Sequence, residues 1–284
     1  MAARRSRPIG AGAVLVIVLI IAALAILKLQ HHRFRGPQGS GCVISGTGFR
    51  WQLYPSQASI AATIAGVAAQ RAMPVRAITI AYAAALQESY LEDLSYGDRD
   101  SVGVFQQRPS QGWGTRHQLL DPVYASTRFF MALAAIPHYE QLRVYKAAQA
   151  VQHSADGSAY SQWVQQGADM AAGFSGRRPR TVSCWYGAGF RGRGELSAAS
   201  IQLRRTFGRL AINHAGDPLA HVRVRGPDMG WAVATWLVSH AGQFKIRQVS
   251  YQGYQWTAAH GKKGWTARPR ADHAAGTRAA VTFG

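Results

Sequence analysis

Residues Ala83–Gly114 read AAALQESYLEDLSYGDRDSVGVFQQRPSQGWG and fall into three textures. An alanine-rich apolar run ends at a single glutamate, Glu88. A polar loop dense in Gly, Asp and Ser follows, and a short glutamine-aromatic segment closes the stretch. Upstream, Pro74 suits a first-turn position and opens a helix from Val75 to about Glu88, with Ile78, Tyr82 and Leu86 on one face. Ser56 or Ser59 can cap an earlier helix through Ile60, Ile64 and Val67 to about Met73. The periodicity predicts further helices over Pro122–Leu133, capped by Asp121, and over 139–151, 159–172 and 196–210. Between Pro55 and Cys184 the reading is mostly α-helical, with little alternating apolar and polar sequence.

A carboxylic acid can cleave a glycosidic bond if it keeps its proton until the leaving oxygen needs it. An apolar surrounding and a helix C-terminus both favour the protonated form, which makes the end of this run a suitable place for such an acid. A lone glutamate after a helix is equally the pattern of a solvated helix end.

The motif narrows the choice. Glu88-Ser89 followed by Gly103-Val104-Phe105-Gln106 resembles the Glu-Ser … Gly-Leu-Met-Gln signature of the lysozyme-like soluble lytic transglycosylases. The longer run GDRDSVGVFQQRPSQGWG is similar to the version found in actinobacterial cell-wall proteins. The resemblance covers about residues 55–185 and implies a mainly α, lysozyme-like domain. It also implies cleavage of the MurNAc-GlcNAc β-1,4 bond of peptidoglycan, with no cofactor and no metal. On this reading Glu88 is the single general acid/base, and Ser89 orients it or touches substrate. Gly103 lets the backbone approach the sugar, and Gln106 hydrogen-bonds a group near the cleaved bond. Phe105, Gln107, Trp113 and Gln149 are further candidates for the groove. Asp98 and Asp100 leave a second chemistry open: either could hold a water opposite Glu88, as in an inverting muramidase, or both could be turn residues bonding their own loop. A catalytically idle, wall-binding scaffold is the remaining alternative. The family's downstream Ala-Tyr-Asn-Ala-Gly segment has only a loose counterpart in Trp185-Tyr186-Gly187-Ala188-Gly189.

Working outward, the 284 residues carry 32 Lys and Arg against 13 Asp and Glu, a net charge of +19. A polyanionic partner follows from that balance. Residues 201–284 hold 12 of the basic and 3 of the acidic side chains. Ile9–Leu27 is an uninterrupted uncharged run, close to the length that spans a hydrocarbon core of about 30 Å. It predicts a transmembrane anchor with the bulk of the chain outside, facing the wall; a cleaved signal peptide ending near Ala23-Leu24-Ala25 is the alternative. In an oxidising compartment Cys42 and Cys184 are expected to pair. The expected organisation is a tail and anchor over 1–35, a linker over 36–54, the lysozyme-like domain over 55–200, and a small basic α+β domain over 201–284. In that last segment Trp231–Ala241 reads as a helix, Ile246–Trp256 as a strand pair and Val281–Phe283 as a final strand. It suits a wall-binding module, or a structural appendage whose tryptophans are core. Its five histidines show no zinc-ligand spacing. The expected partners are peptidoglycan, the membrane through Ile9–Leu27 and an envelope-spanning assembly; nucleic acid is disfavoured by the external topology and the lack of a DNA-binding pattern.

Overall fold

The computed structural model describes residues 39–154, 157–187, 190–214, 219–268 and 278–283. The expected anchor over Ile9–Leu27 lies outside them. Among the described residues no helix is long and apolar enough to cross a membrane. From Gly39 onward the chain forms one unit.

It opens with β1 (Gly41–Gly46) and β2 (Phe49–Leu53), an antiparallel hairpin whose two-residue turn contains Gly48 at φ 83°. β2 alternates half-buried and exposed positions, and Trp51 Nε1 on its inner face donates to Asp169 Oδ2 at 3.1 Å. β3 (Val182–Trp185) pairs antiparallel with β1 on its other side, giving the order β2-β1-β3. Cys42 and Cys184 are direct cross-strand partners, Cα to Cα 4.0 Å, and are joined by a disulfide.

Helix α1 (Pro55–Gln70) begins before both serines expected to cap it, one residue ahead of Ser56 and four ahead of Ser59. Pro55 takes the first-turn position, and the Gln57 side chain accepts from the Tyr54 amide at 2.8 Å. α1 is nearly all Ala, Ile and Gly on its buried faces. Such small residues let neighbours approach closely: a Cβ on Gly66 would lie 2.4 Å from the Thr206 methyl. α2 (Val75–Ser89) is buried on all sides from Ala77 to Leu86. Such a helix, apolar around its whole circumference, belongs in the centre of a core. The remaining helices of this half are α3 (Arg116–Leu119), α4 (Pro122–Ala134), α5 (Val144–Gln152) and α6 (Val164–Phe174), followed after β3 by α7 (Leu196–Phe207). α6 lies against α2, with Gly167 allowing close approach to the Thr79 carbonyl. Asp121 caps α4 as expected, accepting from the Val123 amide at 3.0 Å.

The C-terminal half contributes β4 (Ile212–His214), β5 (Leu219–Arg223), α8 (Gly226–Ser239), α9 (Ala241–Phe244), β6 (Ile246–Tyr251), β7 (Tyr254–Thr257), β8 (Thr266–Ala267) and β9 (Arg278–Phe283). The strands form a second antiparallel sheet in the order β4-β5-β9-β6-β7-β8. This half is sewn into the first. Trp256 Nε1 donates to Cys184 O and Trp265 Nε1 to Val182 O, each at 2.9 Å, and Ser183 Oγ donates to Gly261 O at 2.7 Å. Trp231, Trp236 and Trp256 are all buried. His240 lies under α1 with its Nε2 3.5 Å from Thr63 Oγ1 and its ring stacked 3.8 Å from that of Trp236.

The fold class expected from sequence is therefore corrected. The described chain is not a mainly α domain with a small appended module: two antiparallel sheets flank the helices, and β1 and β2 of the first sheet come from residues read as linker. The Gly-rich composition of residues 36–54 concealed the hairpin, because its glycines mark a tight turn and close packing rather than slack chain. A Cβ on Gly41 would lie 2.6 Å from the Trp185 ring.

Candidate functional site

α2 ends abruptly one residue after Glu88. Tyr90 and Leu91 adopt left-handed backbone conformations at φ 56° and 61°. Their amides donate back to Leu86 O and Ala85 O, each at 3.1 Å, and Leu91 is fully buried. This closure satisfies the last carbonyls of the helix and fixes the height of Glu88 above the core.

The chain then returns through a loop to an isolated antiparallel bridge between Val102 and Gln107. Between the two, Gly103–Gln106 makes a tight turn held from several sides. Ser89 Oγ donates to Val104 O at 2.8 Å, and Gln152 Nε2, from the end of α5, donates to Phe105 O at 2.7 Å. Gln106 Nε2 closes back on Gly103 O at 3.1 Å. Phe105 plugs the turn into the core, stacked 4.5 Å from Phe129. Gly103 has φ +77°, and a Cβ there would lie 2.2 Å from the Leu119 carbonyl oxygen.

Glu88 and this turn form one wall of an open groove of about 310 Å³. Of the residues singled out from sequence, the groove is lined by Glu88, Asp98, Gln106, Gln107 and Trp113. Ser101, Arg108, Gln111, Gln152, His153 and Ser154 complete the lining. Four glutamine amides, two hydroxyls, one indole and one imidazole make a surface rich in hydrogen-bonding groups with two rings to lie against. The Gln107 amide is itself buried, and neither its nitrogen nor its oxygen has a hydrogen-bond partner among the described residues.

The other sequence candidates stand outside the lining. Ser89 and Phe105 are buried under the turn, and the backbone that approaches Gly103 is that of Leu119. Gln149 Nε2 donates to Ser154 O at 3.2 Å and so braces the turn after α5. Asp100 is fully engaged: it accepts from Arg108 Nε at 2.8 Å, from the Ser110 amide at 2.7 Å and from Ser110 Oγ at 3.0 Å. The Arg108 guanidinium, then the Ser110 donors, hold its carboxyl well below the usual carboxylate range. Asp98 is different, with a side chain 92% exposed and only Arg99 nearby at 4.0 Å.

Sequence reading missed the partner of the acid. Tyr160, in the 3-10 turn Gly157–Trp163, donates its phenolic hydrogen to Glu88 Oε1 at 2.6 Å. Burial, and then the hydrogen bond to the Glu88 carboxylate, push the phenol well above its ordinary range, while the Ser154 hydroxyl donates to it. Tyr160 therefore remains a donor at neutral pH. Trp163, at the end of the same turn, donates its Nε1 to Gln87 Oε1 at 2.8 Å and meets the Tyr90 ring edge-on. Tyr186, from the loosely matching downstream segment, turns away into the core and donates to Val238 O at 2.7 Å. Ala188 and Gly189 of that segment lie outside the described residues.

No family model matches the chain, and no curated protein matches it significantly.

Proposed function

We propose that the chain cleaves the glycan strand of peptidoglycan with Glu88 as its single general acid/base, as a lytic transglycosylase. One observation carries the reading: Glu88, the one glutamate on the groove wall among the described residues, has one carboxyl oxygen fixed by a buried tyrosine 2.6 Å away. The other oxygen is left for chemistry. In the proposed reaction Glu88 gives its proton to the glycosidic oxygen as the C–O bond breaks. The resulting carboxylate then takes the proton of the muramyl 6-hydroxyl, whose oxygen closes onto the anomeric carbon. The products are a new glycan end and a 1,6-anhydromuramyl end, and Glu88 is protonated again. As negative charge develops on Glu88, the Tyr160 hydroxyl is placed to donate to it. The amide-rich wall suits hydroxyl and acetamido groups, to which a glutamine amide can both donate and accept. The motif resemblance at Glu88-Ser89 and Gly103–Gln106 points to the same reaction. The disulfide supports a wall-facing compartment, since such bonds persist where the environment is oxidising.

A hydrolytic variant has one observation in its favour. Asp98 lines the groove with an exposed, loosely paired carboxylate, whereas Asp100 is spent on the loop. Mass spectrometry of purified peptidoglycan digested by the full chain decides between the two. Anhydromuramyl ends absent with Glu88→Gln support the transglycosylase. Reducing ends that are lost in both Glu88→Gln and Asp98→Asn assign a muramidase. Wall binding without release of any soluble fragment overturns both.

A further inference from the structure

Several arginines of the described chain are matched to carboxylates: Arg108 to Asp100, Arg177 to Asp228, Arg178 to Asp169 and Arg205 to Asp121. Many other exposed cations are not, among them four from the region where the two sheets meet. Arg180, Lys262, Lys263 and Arg268 have no carboxylate partner among the described residues.

The fold collects these four where the two sheets meet. The Trp265 indole bonds to Val182 O, just after Arg180, and the Ser183 hydroxyl bonds to Gly261 O, just before Lys262. Tyr254 pairs with Ala267 across β7 and β8, and the Arg268 amide donates to Gly253 O at 2.8 Å. Aromatic rings then hold two of the cations in place. The Arg180 guanidinium lies 4.3 Å over the Tyr254 ring, and the Lys262 ammonium 5.9 Å over that of Trp185. Arg180 also has φ 66°, a left-handed conformation that favours glycine.

We propose that Arg180, Lys262, Lys263 and Arg268 form a docking surface for an anionic polysaccharide, a sugar polymer bearing phosphate or carboxylate groups. This goes beyond the cleavage reading and does not depend on Glu88 being catalytic. Charge complementarity asks for a polyanion, and two observations select the kind. The rings at this surface are covered by cations or packed in the core rather than presented for base stacking, which single-stranded nucleic acid would need. Among the described residues the large exposed apolar side chains are Tyr90, Tyr96, Met131 and Ile201, none of them in this patch, so its described part offers nothing to insert into a lipid surface.

The test is titration calorimetry of the full chain with polygalacturonate, a carboxylate-bearing sugar polymer, at low and at near-physiological salt. The variant Arg180→Gln/Lys262→Gln/Lys263→Gln/Arg268→Gln is expected to bind at least about tenfold more weakly. A control with the same net charge, Arg71→Gln/Arg143→Gln/Arg209→Gln/Arg223→Gln, is expected to stay within about threefold of the parent. Equal losses in the two variants would reduce the effect to net charge and overturn the proposal. Duplex DNA or phosphatidylglycerol vesicles bound as tightly through the same four residues would overturn the choice of occupant. Arg180→Gly separates binding from folding: its melting temperature should not fall, because glycine relieves the φ 66° strain, while binding should weaken by about threefold or more. A fall in melting temperature with unchanged binding would count against the assignment.

Discussion

Replacing Tyr160 with phenylalanine removes one oxygen, placed 2.6 Å from Glu88 Oε1. The ring is 1% exposed and packed in place, so phenylalanine fills the same space. What is lost is a hydrogen bond from a neutral donor to a group that becomes negative in the proposed reaction, worth about 1.5–3 kcal/mol. If that bond strengthens as Glu88 gives up its proton, the loss falls on the transition state. At 1.36 kcal/mol per factor of ten, kcat should drop roughly 10- to 150-fold. KM should hold within about twofold, because Tyr160 does not line the groove and has no direct contact with the sugar to lose. The assay is the rate of soluble fragment release from purified wall at several substrate loads, with melting temperature recorded alongside. Adding Tyr160→Phe to Glu88→Gln should cost nothing further, since the two side chains act as one unit. A kcat within about threefold of the parent, or a loss confined to KM, would refute the reasoning. A lowered kcat accompanied by a large fall in melting temperature would assign Tyr160 to the core instead.

Three further outcomes follow from the same geometry. The Cys42–Cys184 bond spans 142 residues of sequence, so Cys42→Ala/Cys184→Ala should lose about 5 kcal/mol in the chain-entropy estimate, read from urea midpoints under oxidising conditions; a loss below about 1 kcal/mol would show that the denatured chain is already constrained. Burial pushes His240 down from 6.5 to about 4, so below pH 6.5 the unfolded chain binds a proton that the folded chain refuses; stability should fall by roughly 3 kcal/mol between about pH 6.5 and 4, and His240→Leu should flatten that limb in pH-resolved denaturation. Gly103→Ala meets both the φ of +77° and a backbone oxygen 2.2 Å from the new Cβ, so it should cost at least about 2 kcal/mol in thermal unfolding, with wall cleavage falling in step.

What could be read from sequence was the local part of this site. Pro74, the unbroken apolar run and Glu88 announce a buried helix with an acid at its end, and Asp121 announces the cap of α4. The hairpin β1–β2 could not be read the same way, because its strands are short and its glycines look like linker until Trp51 is seen bonded to Asp169. Tyr160 was illegible for a different reason. It lies 72 residues from Glu88, in a 3-10 turn without strong periodicity, and only the packing of α2 against α5 and α6 brings the two together. Gln149 and Gln152 show the limit at finer grain: both sit on α5, but the one in its last turn reaches the groove and Phe105 while the other braces Ser154.

The motif itself mixes two kinds of residue. Glu88, Gln106 and Gln107 line the groove, while Ser89, Gly103 and Phe105, adjacent to them in the string, hold the turn from beneath. Both kinds have equal reason to be there, because an acid is useful only at a fixed height and a turn keeps its shape only if its carbonyls are met. Letters in a row cannot separate contact from support. The carbonyl of Val104 requires the Ser89 hydroxyl and the carbonyl of Leu119 excludes any Cβ at position 103, and on those two atoms the geometry around Glu88 rests.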